Sequence, residues 1–329
     1  MKNKKWLITG GAGYIGRELI GYFDDRSIDY LVLDDLSTGL MESVRKENFL
    51  FGSICDQALL KEVFQNHEIY GVVHLAAKKD VGEAELFPEL YRNVNVEGTR
   101  QLKKAASEHG VSQFIFASTA AAYEISDNEK LSGYLETDRI ASKAIYGMTK
   151  ILGENLLLDD ELTSKMKITI LRFFNIAGAT VNTGWDSQSH NLIPKSFNRL
   201  INGLDFEVYG NDFPTPDGTC VRDYLHVSDL CEAIVRCIEL QSSGKIGSLV
   251  LNIGTGHGSS VFEVMKEIQR VSGSTPEIKI LPRRNGDPSS VYANVFKATQ
   301  LLGWSPQFNL NDIIESSWTS ITQAKKLVN

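Results

Sequence analysis

The sequence predicts an α/β fold built on a doubly wound parallel sheet, followed by a smaller mixed α/β lobe towards the C-terminus. Three features carry that prediction. Short apolar runs alternate with longer helix-patterned segments through the first half of the chain. Runs such as VVHLAA and ITILRFF are nearly continuous in apolar residues, as strands covered on both faces must be. A glycine-rich turn directly follows the first apolar run and opens a helix.

Taken in order, the apolar runs place strands at Trp6–Thr9, Tyr30–Asp34, Phe49–Phe51, Gly71–Leu75, Phe114–Ser118 and Ile168–Phe173. Helices are predicted between them at Tyr14–Phe23, Ala58–Asn66, Leu90–His109 and Ala141–Leu158. Past residue 176 the pattern changes. Residues 178–220 are rich in Gly, Asn, Asp, Ser and Thr and hold three prolines, which predicts loops rather than layered strands. Val227–Leu240 and Val261–Val271 read as helices and Leu249–Ile253 as a strand. Two further helical patterns flank a turn near Pro306 in the tail. The division expected is a nucleotide-binding domain over 1–176, with strands returned from about 220–255, and a substrate lobe over 177–329.

The 329 residues are 42% apolar and 23% charged, a composition that supports a large core and no disordered tract. A net charge of -7 without a long Lys/Arg run argues against a nucleic-acid partner. Gly10 and Gly11 cut short the apolar stretch after a basic start, so no signal peptide is expected, and no window suggests a membrane span. The four cysteines, Cys55, Cys220, Cys231 and Cys237, form no CxxC pair and read as reduced thiols in the cytoplasm. The six histidines are scattered, so no metal is expected.

Gly10-Gly11-Ala12-Gly13-Tyr14-Ile15-Gly16 sits where a strand turns into a helix. Gly10, Gly13 and Gly16 allow a tight turn and a close approach of backbone N–H groups to a pyrophosphate, and the helix N-terminus adds partial positive charge. Asp34, 18 residues past Gly16, ends the second strand, where a carboxylate accepts both ribose hydroxyls and repels a 2′-phosphate. The combination predicts a Rossmann-type sheet and NAD rather than NADP.

Tyr146 and Lys150 are four residues apart in a helical segment and share one face. A tyrosine hydroxyl has an ordinary pKa of about 10, and a neighbouring ammonium together with a positive nicotinamide favours its anion, making it a base near neutrality. The preceding strand ends in Ser118-Thr119 at the carboxyl edge of the sheet, where open α/β sheets bind ligands.

The glycine loop, Ser118-Thr119 and Tyr146-Gly147-Met148-Thr149-Lys150 together resemble the extended short-chain dehydrogenase/reductase family. Further blocks are similar to its UDP-hexose 4-epimerases: His74-Leu75-Ala76-Ala77, Val81-Gly82-Glu83, Asn95 to Thr99, Leu171 to Asn175, Asn191 to Pro194, Gly210-Asn211-Asp212, Asp217 to Tyr224 and Pro282 to Asp287. The resemblance implies that Tyr146 takes the proton of the C4 hydroxyl while C4 gives its hydride to NAD, that Thr119 hydrogen-bonds the same hydroxyl, and that Lys150 holds the nicotinamide ribose. It further implies that Tyr14, Ile15, Lys79 and Asn95 join the glycines and Asp34 around the cofactor. The diphosphate and uridine fall to Asn175, Asn191, Leu192, Tyr209, Arg222, Arg284 and Asp287. Guanidinium forks suit phosphate oxygens. A homodimer formed through Leu90–His109 and Ala141–Leu158 is implied in the same way. Asp217 and Asp223 read as structural acids.

Three positions depart from the family pattern. Gly52-Ser53-Ile54 stands where the family shows Gly-Asp followed by Ile or Val at the adenine, so Ser53 and Ile54 line that site without a charge. Asp56 reads as a helix cap instead of a replacement. Glu124 to Ala144 lacks the usual proline-rich lead into the tyrosine motif. Val291 occupies a position where some epimerases carry a tyrosine that closes the sugar pocket, leaving room for N-acetylated sugars. Other readings remain open at this stage: a 4,6-dehydratase, opposed by Ala120-Ala121 where an acid pair is needed, a UDP-pentose or UDP-uronate 4-epimerase, and a non-catalytic NAD-binding interaction protein.

Overall fold

The computed structural model describes residues 4–41, 44–124, 132–159, 165–187, 189, 191–284 and 286–328. The first half runs β1 (Lys5–Thr9), α1 (Tyr14–Asp25), β2 (Tyr30–Asp34), β3 (Phe49–Phe51), α2 (Gln57–Asn66), β4 (Ile69–His74), α3 (Val81–Leu86), α4 (Pro88–Arg92), α5 (Thr99–Glu108), β5 (Gln113–Thr119), α6 (Ile145–Leu158) and β6 (Lys167–Phe173). The second half runs β7 (Asn175–Ala177), α7 (Leu192–Ile201), β8 (Phe206–Tyr209), β9 (Val221–Arg222), β10 (Tyr224–His226), α8 (Val227–Ser242), β11 (Leu249–Ile253), β12 (Ser259–Ser260), α9 (Val261–Ser272), β13 (Ile278–Leu281), β14 (Ser290–Val291), α10 (Phe296–Leu302) and α11 (Leu310–Val328).

Seven strands form one sheet in the order β11-β6-β5-β4-β1-β2-β3. β1 pairs in parallel with both β2 and β4, so the strand order reverses between β1 and β4. Ligands of open α/β sheets bind beyond the carboxyl ends of strands at such a reversal. The sheet is covered by α2, α5 and α6, and Leu7, Leu33, Val72, Phe114, Phe116 and Ile170 form part of its core. Asp56 starts α2 as its N-cap, accepting from the N–H groups of Ala58 and Leu59, both at 3.0 Å.

The chain divides into two compact units. The first comprises residues 1–124, 138–172 and 231–251, and the second residues 125–137, 173–230 and 252–329. The second unit has its own core, with Ile193, Phe197, Phe206, Val208, Val264, Ile268 and Ile313 buried together. Its strands pair locally: β10 with β7, β8 with β13, and β9 between β12 and β14. Of the strands between 220 and 255, β11 lies in the large sheet, whereas β9 and β10 belong to these small pairings.

Two expectations are corrected. The helix predicted over Leu90–His109 is three pieces, α4, a π-helical turn at Asn93–Gly98, and α5. One wide turn inserts a residue into the ladder without breaking the helical course, which a periodicity reading does not register. The loop predicted over 178–220 contains α7 and β8. Both are short and are held by burial of Ile193 and Phe197 on one helix face and of Phe206 and Val208 on one strand face, against a background composition of turn residues.

Candidate active site

At the end of β1 the backbone turns through Gly10, whose φ of +71° is left-handed and whose Cβ would lie 2.6 Å from the Ala76 nitrogen. A Cβ at Gly16 would meet the Gly11 Cα at 2.4 Å, so helix α1 packs directly against the loop. Gly13 precedes α1 as its N-cap and, lacking a side chain, makes no side-chain cap bond. Asp34 is buried, and its carboxylate is oriented by the Ala12 N–H at 3.0 Å and the Leu36 N–H at 2.8 Å. Burial raises the Asp34 pKa, and the two N–H groups oppose that rise. A helix opened by a glycine cap, a loop closed to Cβ atoms and a carboxylate at the second strand end fit a dinucleotide.

The Ser53 hydroxyl accepts from the Cys55 N–H at 3.2 Å, and Ile54 is buried. Asn95 lies in the π turn, and its amide spans both backbone groups of Lys78, accepting from N–H at 2.8 Å and donating to C=O at 2.9 Å. It also donates to the Thr149 hydroxyl at 3.0 Å. The backbone beside Lys79 is thereby tied to the helix that carries Tyr146 and Lys150.

Tyr146 occupies the second position of α6, and the Thr119 side chain at the end of β5 acts on its hydroxyl, which places the two side chains in one neighbourhood. The Thr119 hydroxyl also accepts from the Ala121 N–H at 3.1 Å, which fixes its orientation. Tyr146 is half-buried as a residue, but burial at its hydroxyl pushes the pKa up to about 12. Lys150 donates to the Ala117 carbonyl at 2.8 Å and lies 4.9 Å from the centre of the Phe116 ring. Burial brings the Lys150 pKa down to about 8, with the Glu154 carboxylate acting against the fall.

Several residues around this helix were given no role by the sequence reading. Glu154, one turn beyond Lys150, is buried and accepts from Arg172 Nε at 3.1 Å and Nη2 at 2.8 Å and from the Ser118 hydroxyl. Arg172 Nη1 donates to the Tyr123 hydroxyl at 3.1 Å. A carboxylate four residues past Lys150, on a stripe otherwise apolar, was the available signal. Lys103 donates to the Leu156 carbonyl near the end of α6. His74, fully enclosed, stands 2.8 Å from the Thr9 hydroxyl and 2.9 Å from that of Thr99. Because Thr99 donates its only hydroxyl proton to Asn95 C=O at 2.7 Å, it accepts from His74 Nε2–H. His74 Nδ1 then accepts from Thr9. Burial and the Lys150 charge hold this imidazole neutral, with a pKa lowered to about 3.

In the second unit, Arg222 and Asp287 both act on the Cys220 thiol, which places the two side chains in one neighbourhood. Val291 is the register partner of Arg222 between β14 and β9. Asn175 and Arg222 both act on the Tyr224 hydroxyl, which places them around it. Arg284 lies 4.0 Å from the centre of the Tyr209 ring, and Lys195 lies 5.0 Å from the same ring. Asn191 is the N-cap of α7 without a side-chain cap bond, and Leu192 begins that helix. Asp223 is a buried hub accepting from Thr255 N–H and hydroxyl, Gly256 N–H and Ala293 N–H. Asp217 holds the N–H and hydroxyl of Thr219 and the hydroxyl of Ser260. Both acids tie backbone segments together, as structural acids do.

The signature of the NAD dependent epimerase/dehydratase family matches residues 6–254. The chain is 37% identical over 322 residues to a UDP-glucose 4-epimerase of Rhizobium leguminosarum bv. trifolii, covering 97% of each sequence. It superposes on the UDP-glucose 4-epimerase from Brucella ovis in complex with NAD with a TM-score of 0.89 and 34% identity, covering 96% of this chain and 97% of that one. The UDP-Glc/GlcNAc 4-epimerase of Campylobacter jejuni matches with a TM-score of 0.84 and 32% identity, covering 98% and 100%.

Proposed function

The chain belongs to the NAD dependent epimerase/dehydratase family, and from that premise we propose that it interconverts UDP-galactose and UDP-glucose by inverting C4. The observation that carries the reading is the meeting of Tyr146 with Thr119 at the carboxyl end of β5, with Lys150 one turn along the same helix. Ala120 and Ala121 follow Thr119, so the acid pair that water elimination needs is missing from that position, which favours an epimerase over a dehydratase.

In this reading the phosphates of NAD lie against Gly10, Gly13, Tyr14, Ile15 and Gly16, its adenosine ribose meets Asp34, and Ser53 and Ile54 line the adenine. Lys79 and Asn95 would line the cofactor site, and Tyr146 and Lys150 would meet its nicotinamide end. NAD, when bound, supplies the reversible hydride acceptor for C4 and, oxidised, a positive charge. Tyr146 moves the proton: it takes it from the C4 hydroxyl as the 4-ketose forms and returns it when C4 is reduced on the other face. Thr119 shares that hydrogen bond and keeps the C4 oxygen in reach. The ketose must turn over between the two half-reactions, so the firm grip has to fall on the nucleotide. Asn175, Asn191, Leu192, Tyr209, Arg222, Arg284 and Asp287 provide it, with guanidinium forks on the diphosphate.

The small Val291 side chain supports acceptance of N-acetylated hexoses as well. Leu86, Phe87, Leu90, Met148 and Leu152 are exposed apolar side chains on α3, α4, the residue joining them, and α6, and they support a homodimer through these helices. Four unpaired cysteines agree with a cytoplasmic setting. The test is an equilibrium assay with UDP-galactose and UDP-N-acetylgalactosamine, first without added NAD and then with it. Conversion to the gluco epimer is the expected result. No conversion of either sugar, even with NAD, overturns the reading.

A further inference from the structure

A buried ion pair lies behind Lys150 that the proposed chemistry does not use. Glu154 and Arg172 are 1% and 6% exposed at their side chains and share two hydrogen bonds. Glu154 belongs to α6, Arg172 to β6 and Ser118 to β5, so one carboxylate joins three elements. Ser118 is the residue before Thr119, and Lys150 is one helical turn before Glu154. Arg172 is occupied further by Tyr123, whose ring centre lies 5.0 Å away.

A buried pair of this kind is a weak source of stability, because desolvation offsets most of the attraction between the charges. What it supplies well is geometry and local field. We propose that Glu154 is a positioning residue that keeps Lys150 an ammonium and holds helix α6 in register with the strand end bearing Thr119. The role rests on the proposed function, in which Lys150 grips the nicotinamide ribose as a cation.

The groups around Lys150 bear this out. From its own helix the Glu154 charge acts on it, one turn along. From β5 come the Ala117 carbonyl and the Phe116 ring, and from β4 the neutral His74. Arg172 of β6 is paired with Glu154. The Glu154 carboxylate is therefore the one anionic charge among these groups and acts against the burial that lowers the Lys150 pKa. Removing it must let the ammonium deprotonate at lower pH.

The experiment compares the wild type with Glu154→Gln and Glu154→Asp between pH 6 and 10. Two quantities are followed, UDP-galactose turnover and, independently of turnover, the dissociation constant for NAD. Glu154→Gln shifts the alkaline midpoint of both down by about one pH unit. Glu154→Asp keeps the charge and retains the wild-type midpoint, even where thermal stability falls. If Glu154→Gln alone does not fold, Arg172→Gln is read instead: with its partner gone the Glu154 carboxylate acts unopposed and both midpoints move up, and unmoved midpoints overturn the proposal. A folded Gln variant whose midpoints coincide with wild type overturns the proposal. A wild type that binds NAD without turning over UDP-galactose removes the proposed function instead, and the NAD series then decides the role of Glu154 alone.

Discussion

Glu85 on α3 accepts a hydrogen bond at 2.9 Å from the backbone N–H of Ile145, the first residue of α6. The helix bearing Tyr146 has no cap of its own, since Ala144 occupies its N-cap position. A carboxylate from another helix thus satisfies an orphan donor one residue from Tyr146 and meets the positive end of the helix dipole. Lys103 answers it at the other end, donating to the carbonyls of Leu156 and, at 3.4 Å, Asp159. Replacing Glu85 with Ala is expected to cost about 1 kcal/mol and lower the melting midpoint by about 2–4 °C. Amide exchange at Ile145 should quicken in the same variant, and an unchanged exchange rate there would argue against the cap.

Tyr146→Phe removes the hydroxyl proposed to transfer the proton and little else. Turnover should fall by about 10²–10⁴, while the amount of NAD bound per chain stays at the wild-type level. Retained turnover would transfer the proton chemistry to another group.

Gly16 touches the Gly11 backbone so closely that any Cβ must push α1 away from the loop. Gly16→Ala should weaken NAD binding by at least about tenfold, the equivalent of ~1.4 kcal/mol. Calorimetric titration with NAD measures it directly. An unaltered affinity would mean that the loop tolerates a displaced helix.

His74 links stability to pH. Its folded pKa, about 3, lies below its ordinary value of 6.5. Between these values the unfolded chain binds a proton that the folded chain refuses, so stability rises with pH across the window. The contribution is therefore lost as pH falls from near 6.5 towards 3. Chemical unfolding at pH 4.5 and at pH 7 should show a smaller difference for His74→Gln than for wild type. Equal differences would show that the imidazole does not titrate on unfolding as argued.

Val291 lies opposite Arg222 in the register of β14 and β9. Filling it with a phenol ring, Val291→Tyr, is expected to reduce turnover of an N-acetylated substrate by about tenfold or more. Turnover of UDP-galactose should change little. Unchanged turnover of the N-acetylated sugar would remove Val291 as the gate.

Much of the frame was legible in the residues themselves. The six early strands and helices α1 and α2 emerge from periodicity, because a strand buried on both faces needs an apolar run and a covering helix needs an apolar stripe. The glycine loop and Asp34 were readable because backbone conformation and close approach demand particular residue types at set spacing. Tyr146, Lys150 and Thr119 were recognisable as candidates, though it is the fold of α6 against the end of β5 that brings the Tyr146 hydroxyl to Thr119.

What only tertiary structure decided are the contacts between residues distant in sequence. Glu85 and Ile145 are 60 positions apart, His74 and Thr9 65, and Glu154 and Arg172 18. None belongs to a local pattern, because a hydrogen bond between separate elements leaves no periodic trace in either of them. The protonation of the site was likewise hidden. The spacing of Tyr146 and Lys150 shows only that a cation can favour the tyrosine anion, whereas burial, which pushes the Tyr146 pKa up to about 12 and brings that of Lys150 down to about 8, is set by what packs around them. Desolvation depends on what surrounds a group in space, and a linear sequence carries that only once it has folded.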